Sequence, residues 1–229
     1  MKRPFLLAGL LGIIAMMLAV LTSMQIPRNH SFNCPEPFRR PVLALEFVRS
    51  AESLSALFGT DKYGRAGNIR RIRKAQNTDN FFIAGYTLFL LAFAMTIWRQ
   101  TRKWRYALLV LLALAIGLSD LFENGAIRLL VDGMEKTPLQ LESIDFQRLH
   151  FWAWAKWLGL AVFFAAIGPY VWSLRWLGRV LAAAGLLSAL LGVFAWFSDA
   201  WIERYASAVF ATFPLAVIFC FWYRAGRSG

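Results

Sequence analysis

Residues 117–127 read GLSDLFENGAI and set two carboxylates and an amide within about one helical turn: Asp120, Glu123 and Asn124. Helical positions i, i+3, i+4 and i+7 share a face, so Asp120, Glu123, Asn124 and Ile127 line up together. Two carboxylates that close, partly withdrawn from water, need a shared proton or a nearby cation. Groups held in that way suit general acid and base work. Lys156, in HFWAWAKWLGL, is the available cation, and it sits between aromatic residues. A lysine there must find a partner or snorkel to water. A second stretch, TDNFFIAGYTLFL, places Asp79 and Tyr86 seven residues apart, hence on one face, with Asn80 and Ile83 beside them. A tyrosine hydroxyl can donate to a developing oxyanion. The expected catalytic set is therefore Asp120, Glu123, Lys156, Tyr86 and Asp79. Asn124, Arg49, Glu46 and His150 are the expected substrate-binding groups.

Each of these residues also has a plainer role. Asp79 or Thr78 can cap the start of a helix. Glu123 and Asn124 can end a span in the head-group region, and Asp120 with Lys156 can be a structural ion pair. His150 can sit in an interfacial belt, and Asp199 and Glu203 can belong to a solvated loop.

The elements that carry these residues are long and apolar. The chain has 229 residues, 59% hydrophobic and 17% charged, where soluble domains carry about a quarter charged residues. Six apolar runs, roughly 5–24, 80–98, 106–123, 151–172, 180–197 and 205–223, approach the roughly 20 residues that cross about 30 Å of hydrocarbon. Backbone polar groups cannot stay unpaired there, so the runs should be helices. The expected fold is an all-α integral membrane bundle of about six transmembrane helices, forming a single polytopic domain. The first run, MKRPFLLAGLLGIIAMMLAVLTSMQ, has too long an apolar core and too poor a cleavage site for a secretory signal, and reads as a retained helix. Trp98, Trp104, Trp152, Trp172, Trp176, Trp201 and Trp222 fall near span ends, as interfacial belts do.

Charge orients the bundle. Lys2, Arg3, Arg99, Arg102, Lys103, Arg105, Arg175, Arg179, Arg224 and Arg227 fall on one side, and all thirteen Asp and Glu on the other. The positive-inside rule then places both termini in the cytoplasm, as expected of a bacterial inner (plasma) membrane protein, with the site facing the outer side. The outer segment also carries base, including IRRIRK at 69–74, which a long segment tolerates and which can touch anionic lipid head groups. The net charge of +12 is thus topogenic and lipid-directed, with no nucleic-acid motif beside it. Cys34 and Cys220 fall on opposite sides. His30 and Cys34, four apart, are a weak metal pair.

The outer region divides into an amphipathic segment, 41–78, and a loop, 124–150. RPVLALEFVRSAESLSALFG reads as one amphipathic helix from Pro41 to the Gly59 cap, with Glu46 and Arg49 on one side. It is expected to cover the span ends or act as a lid. A short basic helix should follow and run into the second span. Thr137, before Pro138, and Ser143 are possible helix starts in the loop.

Three functions remain open. The first is a lipid- or prenyl-modifying enzyme in which Asp120 and Glu123 share a proton, Lys156 tunes them or holds an anionic group, and Arg49 with the basic stretch attracts the head group. It calls for no cofactor; a divalent ion on Asp79, Asp120, Glu123 and His150 is a minor variant of it. The second is a proton-coupled carrier of a small molecule or lipid, and the third a non-catalytic assembly or accessory protein. Membrane lipids are the expected partners in each.

Overall fold

The computed structural model describes residues 3–26, 32–59, 62–136 and 141–224. Among them lie eight α-helices, one 3-10 turn and no strand: α1 (Leu6–Gln25), α2 (Pro41–Glu46), α3 (Ala51–Phe58), α4 (Lys62–Thr101), α5 (Trp104–Met134), α6 (Ser143–Trp172), α7 (Arg175–Phe197), the 3-10 turn Asp199–Trp201 and α8 (Ile202–Trp222). Six helices (α1, α4 to α8) are long and apolar enough to cross a membrane, with window mean hydropathies from 1.5 to 2.4. Their outer faces expose large apolar residues: Leu7 65%, Met17 62%, Leu111 62% and Leu186 67%. Such a surface suits lipid rather than water, and the chain is a multi-pass membrane protein.

The six helices form a closed ring in the order α1, α4, α5, α6, α7, α8, with α8 returning to α1. Small residues let the backbones approach. Gly12 of α1 lies against Val217 of α8 and Phe89 of α4, and closes the ring. Gly185 of α7 lies against the backbone of Phe164 on α6, where any side chain would collide.

Helix lengths depart from the sequence expectation in one region. The second span does not start at a cap near Thr78 or Asp79, because α4 runs unbroken from Lys62 for 40 residues. That is about 60 Å at 1.5 Å per residue, twice the hydrocarbon thickness. The third span does not end at Glu123 and Asn124; α5 continues to Met134. The expected loop 124–150 is therefore mostly helix. α6 begins at Ser143 behind Glu142, whose side chain and that of Asp145 form a reciprocal capping box that satisfies two otherwise orphaned backbone donors. Thr137 lies outside the described residues.

The single helix expected over 41–59 is two. α2 stops at Glu46, and Phe47, with φ −108° and ψ 14°, leaves the helix. Ser50 then caps α3, its hydroxyl accepting from the Ser53 amide at 3.1 Å. A serine side chain in that position competes with helix continuation and favours a fresh start.

These extensions build a second core at one end of the ring. Leu54, Leu57 and Phe58 of α3 pack on Ile69 and Ile72 of α4, Leu130 and Val131 of α5 and Leu149 of α6, apart from the large core of the ring itself. Arg73 ties α4 to α5 through Asp132 at 2.5 Å and Glu135 at 2.7 Å. The molecule is thus a membrane ring with a helical head on the end opposite the termini.

Candidate functional site

Lys156 projects from α6 at the level where the two cores meet. Its ammonium donates to Glu123 Oε1 on α5 at 2.8 Å and to Glu46 Oε1 on α2 at 3.0 Å. Asp120 Oδ1 lies 3.4 Å away. All four side chains are nearly sealed from solvent, with exposures of 8% for Lys156, 6% for Glu46, 6% for Asp120 and 2% for Glu123. The indole N–H of Trp157 donates to Glu46 Oε2 at 2.7 Å, and the Tyr86 hydroxyl donates to Asp120 Oδ2 at 2.7 Å. One buried network therefore joins α2, α4, α5 and α6.

Helical spacing explains each placement. Asp120 and Glu123 are one turn apart on the inward face of α5, as their interval requires. Gln76, Asp79, Ile83 and Tyr86 recur on one face of α4 at intervals of three and four. Asn124, next on α5, donates to Asp79 Oδ2 at 2.8 Å and to Asn80 Oδ1 at 3.2 Å, while Gln76 Nε2 donates to the Asn124 carbonyl at 3.0 Å. The break after α2 matters most. Because the helix stops at Glu46, that carboxylate points into the protein, while Arg49 turns outward.

The network borders a cavity of about 130 Å³. Its polar lining is Thr22, Glu46, Gln76, Asp79, Tyr86, Asp120, Glu123, Asn124 and Lys156, and most of the rest is apolar, including Ile26, Val42, Phe82, Leu160, Val209 and Phe210. Val42 and Phe210 are 39% and 46% exposed and form the rim. The rim residues belong to α2 and α8, and Thr22 of α1 also lines the cavity, so α1 and α8 both border it. Near the termini those helices touch through Gly9 and Phe221. At the head, α1 is held to α4 by Gln25 Nε2 on Thr78 Oγ1 at 2.7 Å, and α8 to α6 by the Tyr205 hydroxyl on the Trp157 carbonyl at 2.5 Å. The cavity thus has a charged floor and an apolar mouth.

The structure brings together Asp120, Glu123, Lys156, Tyr86, Asp79, Asn124 and Glu46. It does not bring Arg49 or His150 to them. Arg49 donates from one guanidinium nitrogen to both Asp199 carboxylate oxygens, at 2.8 and 3.1 Å, on the exposed surface, and the shared side expected for Glu46 and Arg49 is lost with the helix break. His150 accepts from the Trp154 indole at 3.0 Å and packs edge-on to Phe47. Asp199 and Glu203 are not merely a solvated loop: Glu203 Oε1 accepts the backbone amides of Arg39 and Arg40 at 2.8 and 2.9 Å, which fastens the start of α2. Burial, with Glu203 beside it, pushes the Cys34 thiol up; His30, its suggested metal partner, lies outside the described residues. Among the described residues no three His, Cys, Asp or Glu are placed to hold a metal ion.

Sequence reasoning passed over Gln76 and Trp157. Gln76 keeps register with Asp79, Ile83 and Tyr86, which would have found it had the helix been carried past Asp79. Trp157 follows Lys156 directly, and nothing in its spacing marks it as the partner of a carboxylate 111 residues earlier in sequence. Lys156 itself has three carboxylate neighbours, two of them hydrogen-bonded to it, so its charge is already matched within the site.

Chemically, the site sets four carboxylates (Glu46, Asp79, Asp120 and Glu123) against one ammonium. Unpaired charge in a water-poor site costs several kcal/mol per group, so such a site holds and exchanges protons or takes up a compensating ligand. No protein-family model, no curated protein and no solved structure matches this chain.

Proposed function

We propose that this chain is a membrane-embedded enzyme that performs acid–base chemistry on the polar end of a lipid or prenyl compound. The observation that carries this reading is the joining of a buried carboxylate network to a cavity with an apolar mouth. A purely structural ion network needs no cavity beside it. Asp120 and Glu123 are the proposed acid and base. Lys156, between them and Glu46, holds their charge. Tyr86 fixes one Asp120 oxygen and leaves the other toward Lys156. Asp79, steadied by Asn124, is a further proton acceptor at the cavity wall. The class of step is isomerisation, cyclisation or head-group transfer, each of which runs on proton movement.

The bundle composition bears on the carrier reading. Toward the termini from Tyr86, the described core includes Phe89, Phe93, Ile97, Ala113, Ile116 and Phe164, all buried. Among the described residues buried there, no carboxylate, lysine, arginine or histidine stands to relay protons across the ring. An assembly role draws support only from the way Glu46 locks α2 to α6.

The charge asymmetry supports an outward-facing site in a bacterial inner membrane, with the head on the outer side. Arg70, Arg71 and Lys74 are exposed on the head, which supports contact with anionic lipid head groups. Lipid profiling of a strain lacking the protein tests the function. A lipid species should change, and return with the intact gene but not with Asp120→Asn combined with Glu123→Gln at equal expression. Full rescue by that double variant would end the enzyme reading.

A further inference from the structure

The site is short of donors in the cavity and long on acceptors. The Lys156 ammonium is surrounded by Glu46, Asp120 and Glu123. The Trp157 indole is committed to Glu46, the Tyr86 hydroxyl to Asp120, and the Asn124 amide to Asp79 and Asn80. The Gln76 amide nitrogen is committed to the Asn124 carbonyl. The unsatisfied buried positions are of the opposite kind. Gln76 is 6% exposed, and its Oε1, at the cavity wall, has no hydrogen-bond partner. Glu123 Oε2 is ion-paired with the Lys156 nitrogen at 2.8 Å, and no further donor reaches it. Thr22 Oγ1, able to act either way, is the other unpartnered atom on the wall. A buried acceptor left empty is costly, and its natural complement is an N–H or O–H brought by a ligand.

Charge points the same way. The acidic and basic groups on the cavity wall are four carboxylates and Lys156, with the Tyr86 phenol beside them. Arg40, over the Phe210 ring at 5.9 Å, is paired with Glu203 at 3.3 Å. An anionic head group would enter against excess negative charge, with the Lys156 ammonium already among three carboxylates. A cationic one would relieve that charge and satisfy Gln76 and Glu123. The apolar wall toward Val42, Phe82 and Phe210 gives no purpose to a bare ion, but accommodates a hydrocarbon chain.

We propose that the cavity binds an amphiphile with a primary ammonium head group, the head donating to Gln76 Oε1 and Glu123 Oε2 and the chain leaving past Val42 and Phe210. This names the substrate class of the site and rests on the reading of the cavity as a lipid site. Recognition of an amine by a carboxylate and an amide oxygen also places the ligand N–H beside the proposed base.

The test uses the full chain in nanodiscs of neutral lipid, with thermal unfolding as readout. The probes are dodecylamine, dodecanol, dodecyl phosphate and ammonium chloride at matched concentrations. Dodecylamine is expected to raise the unfolding temperature most and dodecyl phosphate least. Gln76→Leu should weaken the apparent dodecylamine affinity by about tenfold, the size of one hydrogen bond to a charged group. A preference for dodecyl phosphate over dodecylamine overturns the ammonium assignment and leaves the lipid site standing. An equal effect of ammonium chloride, or no response to any amphiphile, overturns both. Head-group preference is compared on one unaltered protein, so it does not depend on the folding of the variant.

Discussion

Lys156 is the residue on which the centre turns. Removing it leaves three carboxylates facing one another out of water, so Lys156→Met should lower stability by about 3–5 kcal/mol. Asp120→Asn should cost less, and the double variant should lose less than the sum, because each change removes part of the same network. Denaturant or thermal unfolding of the four proteins measures this; additive losses would mean that the two side chains act independently. Tyr86→Phe is the gentler probe. It deletes one hydroxyl and should cost about 1 kcal/mol of stability, while slowing turnover if Asp120 must be held in place; unchanged turnover would remove Tyr86 from the mechanism. Asp120, Glu123 and Lys156 were legible in the sequence because a carboxylate pair at helical spacing and a lone lysine in an apolar run are both costly without a partner. The inward turn of Glu46 was not legible as such. It depends on a helix break whose only local sign is Ser50 ahead of Ala51 and Glu52.

At the scale of elements, the six apolar runs were readable because lipid demands long helices, and each lies largely within an observed helix. Their outer ends were not readable. Hydropathy falls at Asp79 and Asn124, yet α4 and α5 continue, since the polar residues there pair across the two helices and Ile72, Ile127 and Leu130 bury a second core beyond them. The seams between helices offer a sharper test. Gly185→Ala drives a methyl group into the Phe164 backbone and should lower the thermal midpoint by several degrees, as steric clashes of about 1–3 kcal/mol do. Gly125→Ala, where a methyl group meets nothing within 4 Å, should be neutral or slightly stabilising. Equal effects would contradict the ring order. The mouth is tested by Val42→Trp, which should leave unfolding unchanged and reduce activity by narrowing the passage; retained activity would place the ligand's route elsewhere.

For the whole molecule, the account requires the head and the site on one side of the membrane and both termini on the other. A reporter fused after Arg224 should signal from the cytoplasm, and one inserted after Lys136 from the outer side. The reverse pattern would invert the topology and move the site to the inner leaflet. Sequence charge supplies this sidedness, while the ring order and the meeting of two cores at the site arise only from packing.

The central claim is that the carboxylate network acts on a lipid, and the most direct measurement is conversion by the purified protein. Nanodisc-embedded protein would be incubated with a total membrane lipid extract and the extract resolved by mass spectrometry. One lipid species should fall as a product rises, more slowly with Tyr86→Phe and not at all with Glu123→Gln. A product formed equally by Glu123→Gln, or no conversion by intact folded protein, would contradict the account and leave the network a structural one.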